Sequence, residues 1–189
     1  MEWSDGKQRC SWANPHNPDY VIYHDTVWGR PVHDDHELFR MLILETFQSG
    51  LSWECILNKM DAFDAAFDHF NLDAIKNYDA SKIEDLMTNP GIVRNRKKIE
   101  AAIHNAEVFE SIQKECGSFD AYLWHWTQGK TICEEDRPSS PLSDALSSDL
   151  KRRGMKFVGS VTLYSYMQAV GVLSGHEKSC FLMKEAAFQ

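Results

Sequence analysis

A single carboxylate lies within an apolar run of the sequence. In "LFRMLILETFQSGLSW" (38–53), Glu45 shares one helical face with Leu38, Met41 and Leu42. Burying an ionised carboxylate is costly unless it is paired, solvated in a cavity or placed against a cationic ligand. Glu45 is therefore a candidate for binding a positively charged group. A structural carboxylate with an internal partner is the alternative.

Cysteine and histidine near both ends of the chain form a possible metal site. His176 and Cys180 are one helical turn apart in "HEKSC", and Cys10 and His24 add a second thiolate and imidazole. Two Cys and two His are a usual closed set for structural zinc, with no open position for catalysis. In a chain with eight His and five Cys such a match also arises by accident, so unrelated positions remain the alternative.

Two basic segments accompany glycine-containing turns. "LMTNPGIVRNRKKI" (86–99) has a turn at Gly91, where positive φ would let a phosphate approach the backbone, and "LKRRGMKFVG" (150–159) is the second segment. The first turn is followed by Arg94, Arg96, Lys97 and Lys98. In an acidic chain these clusters indicate contacts with a DNA backbone. A helix that happens to begin with basic residues is the alternative.

The elements that must position these residues are predicted to be helical. The first 33 residues lack periodicity and predict an ordered irregular arm or short helices, while two prolines make "EEDRPSSP" (134–141) a predicted loop. Alternating β-branched runs are scarce, so the predicted fold class is all-α. Helices are expected over about 35–48, 81–88, 94–116, 119–126 and 160–172. A further helix is expected from Ser52, with one apolar face formed by Trp53, Ile56, Leu57, Met60 and Phe67.

Composition narrows the class of protein. A length of 189 residues fits one domain, and the net charge of −8 argues against wholesale electrostatic wrapping of nucleic acid. There is no secretory signal and no run approaching about 18 apolar residues, so no membrane contact is expected. Five cysteines without framework spacing predict cytosolic thiols or metal ligands. We expect a cytoplasmic monomer.

Four stretches, which span the chain from Cys10 to Cys180, carry a combined pattern. They are "RCSWANPHNPDYVIYHDTVWGRP", "ELFRMLILETFQSGLSW", "NPGIVRNRKKI" and "RRGMKFVGSVTLYSYMQAVGVLSGH". Together they resemble the DNA-3-methyladenine glycosylase I family of helix-hairpin-helix base-excision enzymes. The sequence departs from that pattern at Phe47, where a polar residue is common, and in the 128–142 loop. The first departure could alter the polarity of a pocket.

The resemblance implies an architecture and a set of site residues. The expected fold is a helical bundle (34–173) with a DNA-binding hairpin near 86–99, and a terminal lobe (1–33 and 174–189) joined by one structural zinc ion. Its implied ligands are Cys10, His24, His176 and Cys180. Glu45 is then the catalytic residue, in a base-binding pocket lined or closed by Trp12, Tyr20, Tyr23, Trp28 and Trp53.

The implied reaction is hydrolysis of the N-glycosidic bond in alkylated double-stranded DNA, with free 3-methyladenine as product. The methylated base is already cationic and leaves without protonation, so Glu45 is expected to recognise the base first and to stabilise the developing oxocarbenium second. No lysine lies within the pocket motifs, which predicts a monofunctional enzyme without lyase activity.

The same resemblance implies how DNA is held. The hairpin around Gly91, with Arg94, Arg96 and Lys97, would bind phosphates. Gly50 permits close approach, and Leu51 could enter the gap left by the extruded base. Ordinary packing between helices is an equal alternative for Leu51.

Two rival functions remain. A non-catalytic, zinc-stapled DNA-binding or regulatory module would need the hairpin and the metal but neither an aromatic pocket nor a buried glutamate. A zinc hydrolase with a deaminase-like site would need an open metal position and a "PCxxC"-type motif, which the chain lacks.

Overall fold

The computed structural model describes residue 3 and residues 5–134 and 137–183, and these residues are mostly helical. The helices are α1 Pro18–Thr26, α2 Asp35–Gln48, α3 Trp53–Leu57, α4 Met60–Ala66, α5 Leu72–Lys76, α6 Ala80–Thr88, α7 Arg96–Cys116, α8 Phe119–His125, α9 Pro141–Arg152 and α10 Ser160–Ala169, with a 3-10 turn at Asp68–Phe70. Two short strands, β1 Ile132–Cys133 and β2 Leu173–Ser174, pair in parallel. The predicted all-α class is confirmed, with this one small addition.

Several local expectations need correction. The helix expected from Ser52 to about Phe67 is two helices, because α3 ends at its C-cap Asn58 and α4 begins at Met60. Helix α10 ends at Ala169, short of Val172, because Gly171 adopts φ +75°. Of the predicted loop 134–141, positions 135 and 136 lie outside the described residues, and Pro141 already begins α9, a helix that the sequence did not predict.

Helix α2 lies at the centre of the bundle and packs against α10, α7, α8 and α3. Asp34 caps its N-terminus, and Asp35 accepts hydrogen bonds from the backbone N–H groups of Phe119 and Asp120 at the start of α8. From Met41 to Phe47 every residue is buried. The polar outer face that a surface helix would show is therefore absent from this part of α2, and Glu45 is held deep in the protein.

The segments before α1 and after β2 pack against each other. The Phe181 N–H donates to the Gln8 carbonyl at 2.8 Å, and the backbone N–H and hydroxyl of Ser11 donate to the Glu177 carboxylate at 2.9 and 2.5 Å. The predicted terminal lobe extends to 189, and its positions 184–189 lie outside the described residues. Among the described helices, none has the length and apolar character needed to cross a bilayer.

Candidate active site and metal centre

The second half of α2 forms one wall of a cavity of about 160 Å³, to which α1, α3 and α10 also contribute. Its lining consists of Trp12, Tyr20, Tyr23, Trp28, Glu45, Gln48, Trp53, Ser165, Gln168 and Gly175. The five aromatic residues assigned to a base pocket from the sequence therefore lie around one cavity with Glu45. Phe47 is not part of this lining: it packs against Phe63 and Phe67, so this departure from the family pattern changes the core rather than the cavity lining.

The aromatic rings form two groups around the cavity. The Tyr23 and Trp53 ring centroids are 5.1 Å apart, and those of Trp12 and Trp28 are 4.8 Å apart at 69° between the planes. Tyr20 joins the second group with its centroid 5.6 Å from that of Trp12. Aromatic faces carry negative electrostatic potential, so such a lining suits a flat, cationic ring.

Glu45 has no internal partner among the described residues. Its side chain is only 3% exposed, Oε2 accepts no hydrogen bond, and no cation lies within ion-pair distance. Burial alone raises the pKa of this carboxyl to about 8. The alternative of a satisfied structural carboxylate is therefore wrong for Glu45, and it carries unused hydrogen-bonding capacity beside the cavity.

Polar groups that the sequence analysis missed also line the cavity. Ser165 and Gln168 lie three residues apart on α10, and a Cβ atom at Gly175 would lie 2.1 Å from Gln168 Nε2, so glycine is required there for this packing. The indole Nε1 of Trp53 is buried without a hydrogen-bond partner, as is Glu45 Oε2. Ser165 and Gln168 carry the same signal that identified Glu45, polar residues at helical spacing in an apolar segment.

The four predicted metal ligands form one buried cluster. The donor atoms of Cys10, His24, His176 and Cys180 all lie within 4.8 Å of one another. His176 Nδ1 is 3.5 Å from Cys10 Sγ and 3.6 Å from Cys180 Sγ, and His24 Nε2 is 3.6 Å from Cys180 Sγ. A tetrahedral zinc site with ordinary bond lengths has nitrogen-to-sulfur separations of about 3.5 Å. The cluster therefore fits a tetrahedral metal ion.

One premise of the metal prediction is wrong. His176 and Cys180 do not lie on a helix: the chain after β2 is irregular and closes a turn in which the Cys180 N–H donates to the Glu177 carbonyl at 2.8 Å. This turn, rather than a helical repeat, brings the two ligands to the same side.

A carboxylate and a guanidinium support the cluster from behind. Asp25 Oδ1 lies 2.8 Å from His24 Nδ1, which fixes the orientation of that ring and leaves Nε2 facing the thiols. The Arg9 guanidinium, itself buried, donates two hydrogen bonds to Asp25 and two to Asp5. These bonds lower the pKa of Asp25, which stays ionised beside His24.

The metal cluster and the cavity share a wall. The His24 ring centroid is 5.1 Å from that of Trp12, and the His176 centroid is 4.7 Å from that of Trp28 in an edge-to-face arrangement. Two rings that line the cavity therefore rest on two metal ligands. Loss of the cluster would remove the support of this wall.

The hairpin between α6 and α7 has a different basis from the one expected. Gly91 does not adopt positive φ, so that part of the prediction is wrong. A Cβ atom at Gly91 would instead lie 2.9 Å from Ala62 Cβ and 3.0 Å from Asn89 Oδ1, which makes close packing the reason for glycine. Lys59 Nζ lies 3.3 Å from the carbonyls of both Pro90 and Gly91 and fixes the turn from below.

The basic residues after this hairpin divide into two kinds. Arg94, Arg96 and Lys97 are exposed, and Arg96 pairs with Glu84 at 2.5 Å. Lys98, which the sequence grouped with them, is only 6% exposed and donates to the carbonyls of Phe47 and Ser49. Its assignment to the solvent-facing cluster is wrong.

The second basic segment joins α9 to α10 and lies next to the first. Lys97 from α7 and Lys156 from the 153–159 segment line opposite sides of a groove of about 440 Å³. Gly159 precedes α10 and leaves that helix without a side-chain cap, while the Ser160 hydroxyl at its start donates to Asp144. Arg153, in contrast, is engaged by Glu115 and Asp149.

The loop after α2 contains the two remaining predicted DNA contacts. Gly50 adopts φ +81°, a conformation that favours glycine, and Leu51 is 40% exposed. Gln48 and Trp53, on either side of this loop, both line the cavity. Leu51 itself is not part of the cavity lining, and its partial exposure leaves it accessible from outside the bundle.

Comparisons with known proteins agree with this geometry. A family model described as methyladenine glycosylase matches residues 12–183. The chain is 37% identical to DNA-3-methyladenine glycosylase 1 of Escherichia coli (strain K12), over 92% of this chain and 95% of the relative.

Solved structures show the same fold. A crystal structure of 3-methyladenine DNA glycosylase I has a TM-score of 0.88 and 38% identity, covering 92% of this chain and 98% of that one. A variant of 3-methyladenine DNA glycosylase I in complex with 3-methyladenine has a TM-score of 0.87 and 36% identity, covering 92% and 96%. With nearly the whole chain matched in sequence and in fold, this protein belongs to the methyladenine glycosylase family.

Proposed function

We propose that this chain is a monofunctional DNA glycosylase, which hydrolyses the N-glycosidic bond of 3-methyladenine in alkylated double-stranded DNA. The observation that carries the proposal is a buried carboxylate without a partner, Glu45, in a cavity lined by five aromatic residues. The solved structure of a similar glycosylase in complex with 3-methyladenine supports the choice of ligand.

The cavity selects by charge as well as by shape. In DNA, 3-methyladenine carries a positive charge delocalised over its ring, and contact with an aromatic face contributes roughly 1–2 kcal/mol for a desolvated cation. Glu45 adds an acceptor for the hydrogen-bonding edge of the adenine and a negative charge that balances the ligand. Neutral adenine loses both electrostatic contributions, so normal bases are bound more weakly and are left in place.

Binding the cation changes the protonation of Glu45. Because its pKa is about 8, the carboxyl of the free protein is mostly protonated at pH 7. A cation in the cavity favours the ionised form, so the proton leaves as the charged base enters. The desolvation free energy of the ionised carboxylate is then offset by the positive charge of the ligand, and only when that ligand is bound.

The chemistry needs little acid catalysis. Cleavage of the bond between the sugar carbon and the base leaves both bonding electrons on the base, which departs as neutral 3-methyladenine. Water adds to the resulting oxocarbenium carbon and loses a proton, giving an abasic site. We assign Glu45 base recognition first and electrostatic stabilisation of the oxocarbenium second. Among the described residues, no lysine lines the cavity to form a Schiff base.

The metal is proposed to be one zinc ion with a structural role. Two thiolates and two imidazoles at these separations suit Zn²⁺, and four protein ligands leave no position for a reactive water. This closed set also argues against the zinc hydrolase alternative. When bound, the ion ties the two terminal segments together behind Trp12 and Trp28.

DNA is proposed to lie across the basic face next to the cavity. Arg94, Arg96 and Lys97, together with the backbone of the hairpin at Gly91, bind phosphates on one side of the groove. The Gly50–Leu51 loop enters the duplex where the base has been extruded. The exposure of Leu51, and the position of its loop between the cavity-lining residues Gln48 and Trp53, support this assignment.

We further propose a monomer that works in the cytoplasm. The five cysteines are free and form no disulfide, which fits a reducing compartment. Size-exclusion chromatography with light scattering tests the monomer: a mass close to 21.7 kDa is expected, and a stable dimer would contradict it.

The activity is tested by incubating the protein with DNA treated with a methylating agent and separating the released bases by chromatography. Free 3-methyladenine should appear, with no release from undamaged DNA and no strand cleavage at the abasic sites. Binding to alkylated DNA without release would favour the non-catalytic module. Strand cleavage would contradict a monofunctional enzyme.

A further inference from the structure

Helix α7 contacts three segments of the proposed DNA-binding face. Its N-terminus follows the hairpin at Gly91, Lys98 binds the end of α2, and Asn105 binds the segment between α9 and α10. Lys98 and Asn105 are seven residues apart, so they lie on the same side of the helix. The same buried face of α7 therefore joins elements that are far apart in the sequence.

Lys98 differs from the exposed basic residues next to it, because its ammonium is held by backbone carbonyls. Its Nζ lies 2.9 Å from the Phe47 carbonyl and 2.6 Å from the Ser49 carbonyl, where α2 ends. Those carbonyls lie at the negative end of the helix dipole, which favours a cation. Within the described part of the chain no carboxylate pairs with Lys98, so backbone oxygens hold its ammonium.

These two carbonyls flank the start of the loop that carries Leu51. Gly50 follows Ser49 directly, and a Cβ atom at Gly50 would meet no other atom within 4 Å, so side-chain packing does not hold this residue. Within the loop, the Leu51 N–H donates to the Gln48 carbonyl at 2.7 Å, and the Gln48 side-chain amide donates to the Leu51 carbonyl at 2.9 Å. These bonds are local to the end of α2, whereas the Lys98 ammonium ties the start of the loop to α7.

The third segment is fixed by the same helix. The Asn105 side chain donates to the Lys156 carbonyl at 3.0 Å and accepts from the Lys156 N–H at 2.8 Å. The ring centroid of Phe157 lies 5.9 Å from Lys98 Nζ. Lys98 is therefore located where the Leu51 loop and the 153–159 segment approach α7.

We propose that Lys98 is a positioning residue for base extrusion: from α7 it holds the Gly50–Leu51 loop in register with the phosphate-binding segments, so that binding of the DNA backbone places Leu51 at the extruded nucleotide. Lys98 contacts neither base nor phosphate in this role. The inference rests on the proposed function of the Leu51 loop, and it assigns a purpose to a buried cation that the reaction itself does not use.

The test compares Lys98→Met with Lys114→Met. Lys114 lies on the same helix, is exposed and pairs with Glu110, so its substitution controls for loss of a lysine from α7. Single-turnover excision of 3-methyladenine is measured from a duplex and from the same strand alone, since only the duplex requires a base to be extruded. Binding of free 3-methyladenine is followed by tryptophan fluorescence.

Lys98→Met should lower the duplex rate by about 10- to 100-fold, the scale expected when a reacting group is displaced by about 1 Å. The rate on the single strand and the affinity for free base should change by no more than about threefold, because the cavity is intact. A purely structural role would lower all three together. Lys114→Met should match the wild type throughout.

A double-mutant cycle with Leu51→Ala tests whether Lys98 acts through the loop. The double variant should excise from duplex about as fast as Lys98→Met alone, because the loop is already displaced. Multiplicative losses would overturn the proposal. So would a duplex rate within about twofold of the wild type, or equal losses on both substrates. If Lys98→Met does not fold, Lys98→Gln, which retains one donor group, is held to the same criteria.

An inactive wild-type protein would refute the proposed glycosylase function itself. An active wild type with an unaffected Lys98→Met would refute only the positioning role.

Discussion

The base cavity and the metal cluster share a wall of aromatic rings, but the polar groups behind the cluster are paired and two of those at the cavity are not. In the lobe, His24, Asp25 and Arg9 form a chain in which each group has a partner. In the cavity, Glu45 Oε2 and Trp53 Nε1 have none. A buried polar group without a partner carries a desolvation cost that folding alone does not recover. The metal cluster and its supporting groups are therefore built for stability, and the cavity is built for a ligand.

The largest effect should follow removal of the metal. Structural zinc contributes on the order of 10 kcal/mol to apparent stability, which is comparable to the whole stability of a domain. Treatment with a strong chelator, or the substitution Cys10→Ser, should therefore lower the melting temperature sharply together with metal content. Circular dichroism and elemental analysis measure the two quantities.

Cys133→Ser is the matched control, because Cys133 is an exposed thiol outside the cluster. It should leave the melting temperature and the metal content unchanged. A chelated protein that loses excision while its melting temperature is unchanged would show that the metal acts in catalysis, and the contrast between lobe and cavity would fail.

Next in size is the effect of Glu45→Gln on excision. Removing one preorganised electrostatic group typically costs about 10²- to 10³-fold in rate, and among the described residues Glu45 has the one carboxyl group that lines the cavity. Single-turnover release of 3-methyladenine measures the loss. Glu37→Gln, a substitution on the same helix but outside the cavity, should keep full activity. If the Glu45 variant excises at the wild-type rate, the carboxylate has no part in the mechanism.

Glu45→Gln, which should lower the excision rate, should raise the stability of the folded protein near neutral pH. The pKa of Glu45 is raised from 4.5 to about 8 on folding, so unfolding between these values releases a proton and becomes easier as pH rises. Wild-type stability should thus fall by roughly 1.4 kcal/mol for each pH unit in that range relative to Glu45→Gln. Urea unfolding at pH 5, 6, 7 and 8 measures the difference, and a constant difference would contradict the assigned pKa.

Exposed cations should give the smallest effect. Arg94→Ala and Lys97→Ala each remove one phosphate-binding side chain, so each should reduce the slope of log affinity against log salt by about 1, with little effect on the choice of base. Equilibrium binding to a duplex with an abasic analogue, measured at several salt concentrations, gives the slope. An unchanged slope in both variants would remove these residues from the DNA-binding face.

The sequence predicted those features that depend on local periodicity. The spacing of Leu38, Met41 and Leu42 located Glu45 on a buried face, and the helix predicted over about 35–48 matches α2. The buried face of a helix repeats over several turns. Its apolar spacing can therefore be recognised in the sequence without knowing which elements pack against it.

The sequence failed where the outcome depends on distant partners. Lys98 looks like its exposed neighbours, and only carbonyls about 50 positions earlier in the chain explain its burial. His176 and Cys180 were placed one helical turn apart, whereas an irregular turn brings them together. Ser165 and Gln168 were overlooked although the reasoning that found Glu45 applies to them as well.

The central claim is that Glu45 is protonated in the free protein and becomes ionised as the cationic base enters. Calorimetric titration with a permanently cationic N-methylated adenine, in buffers of different ionisation enthalpy at pH 7, counts the protons released. With a pKa of about 8, the wild type should release most of a proton per ligand, and Glu45→Gln should release none. Binding without proton release, or equal release from both proteins, would contradict the account.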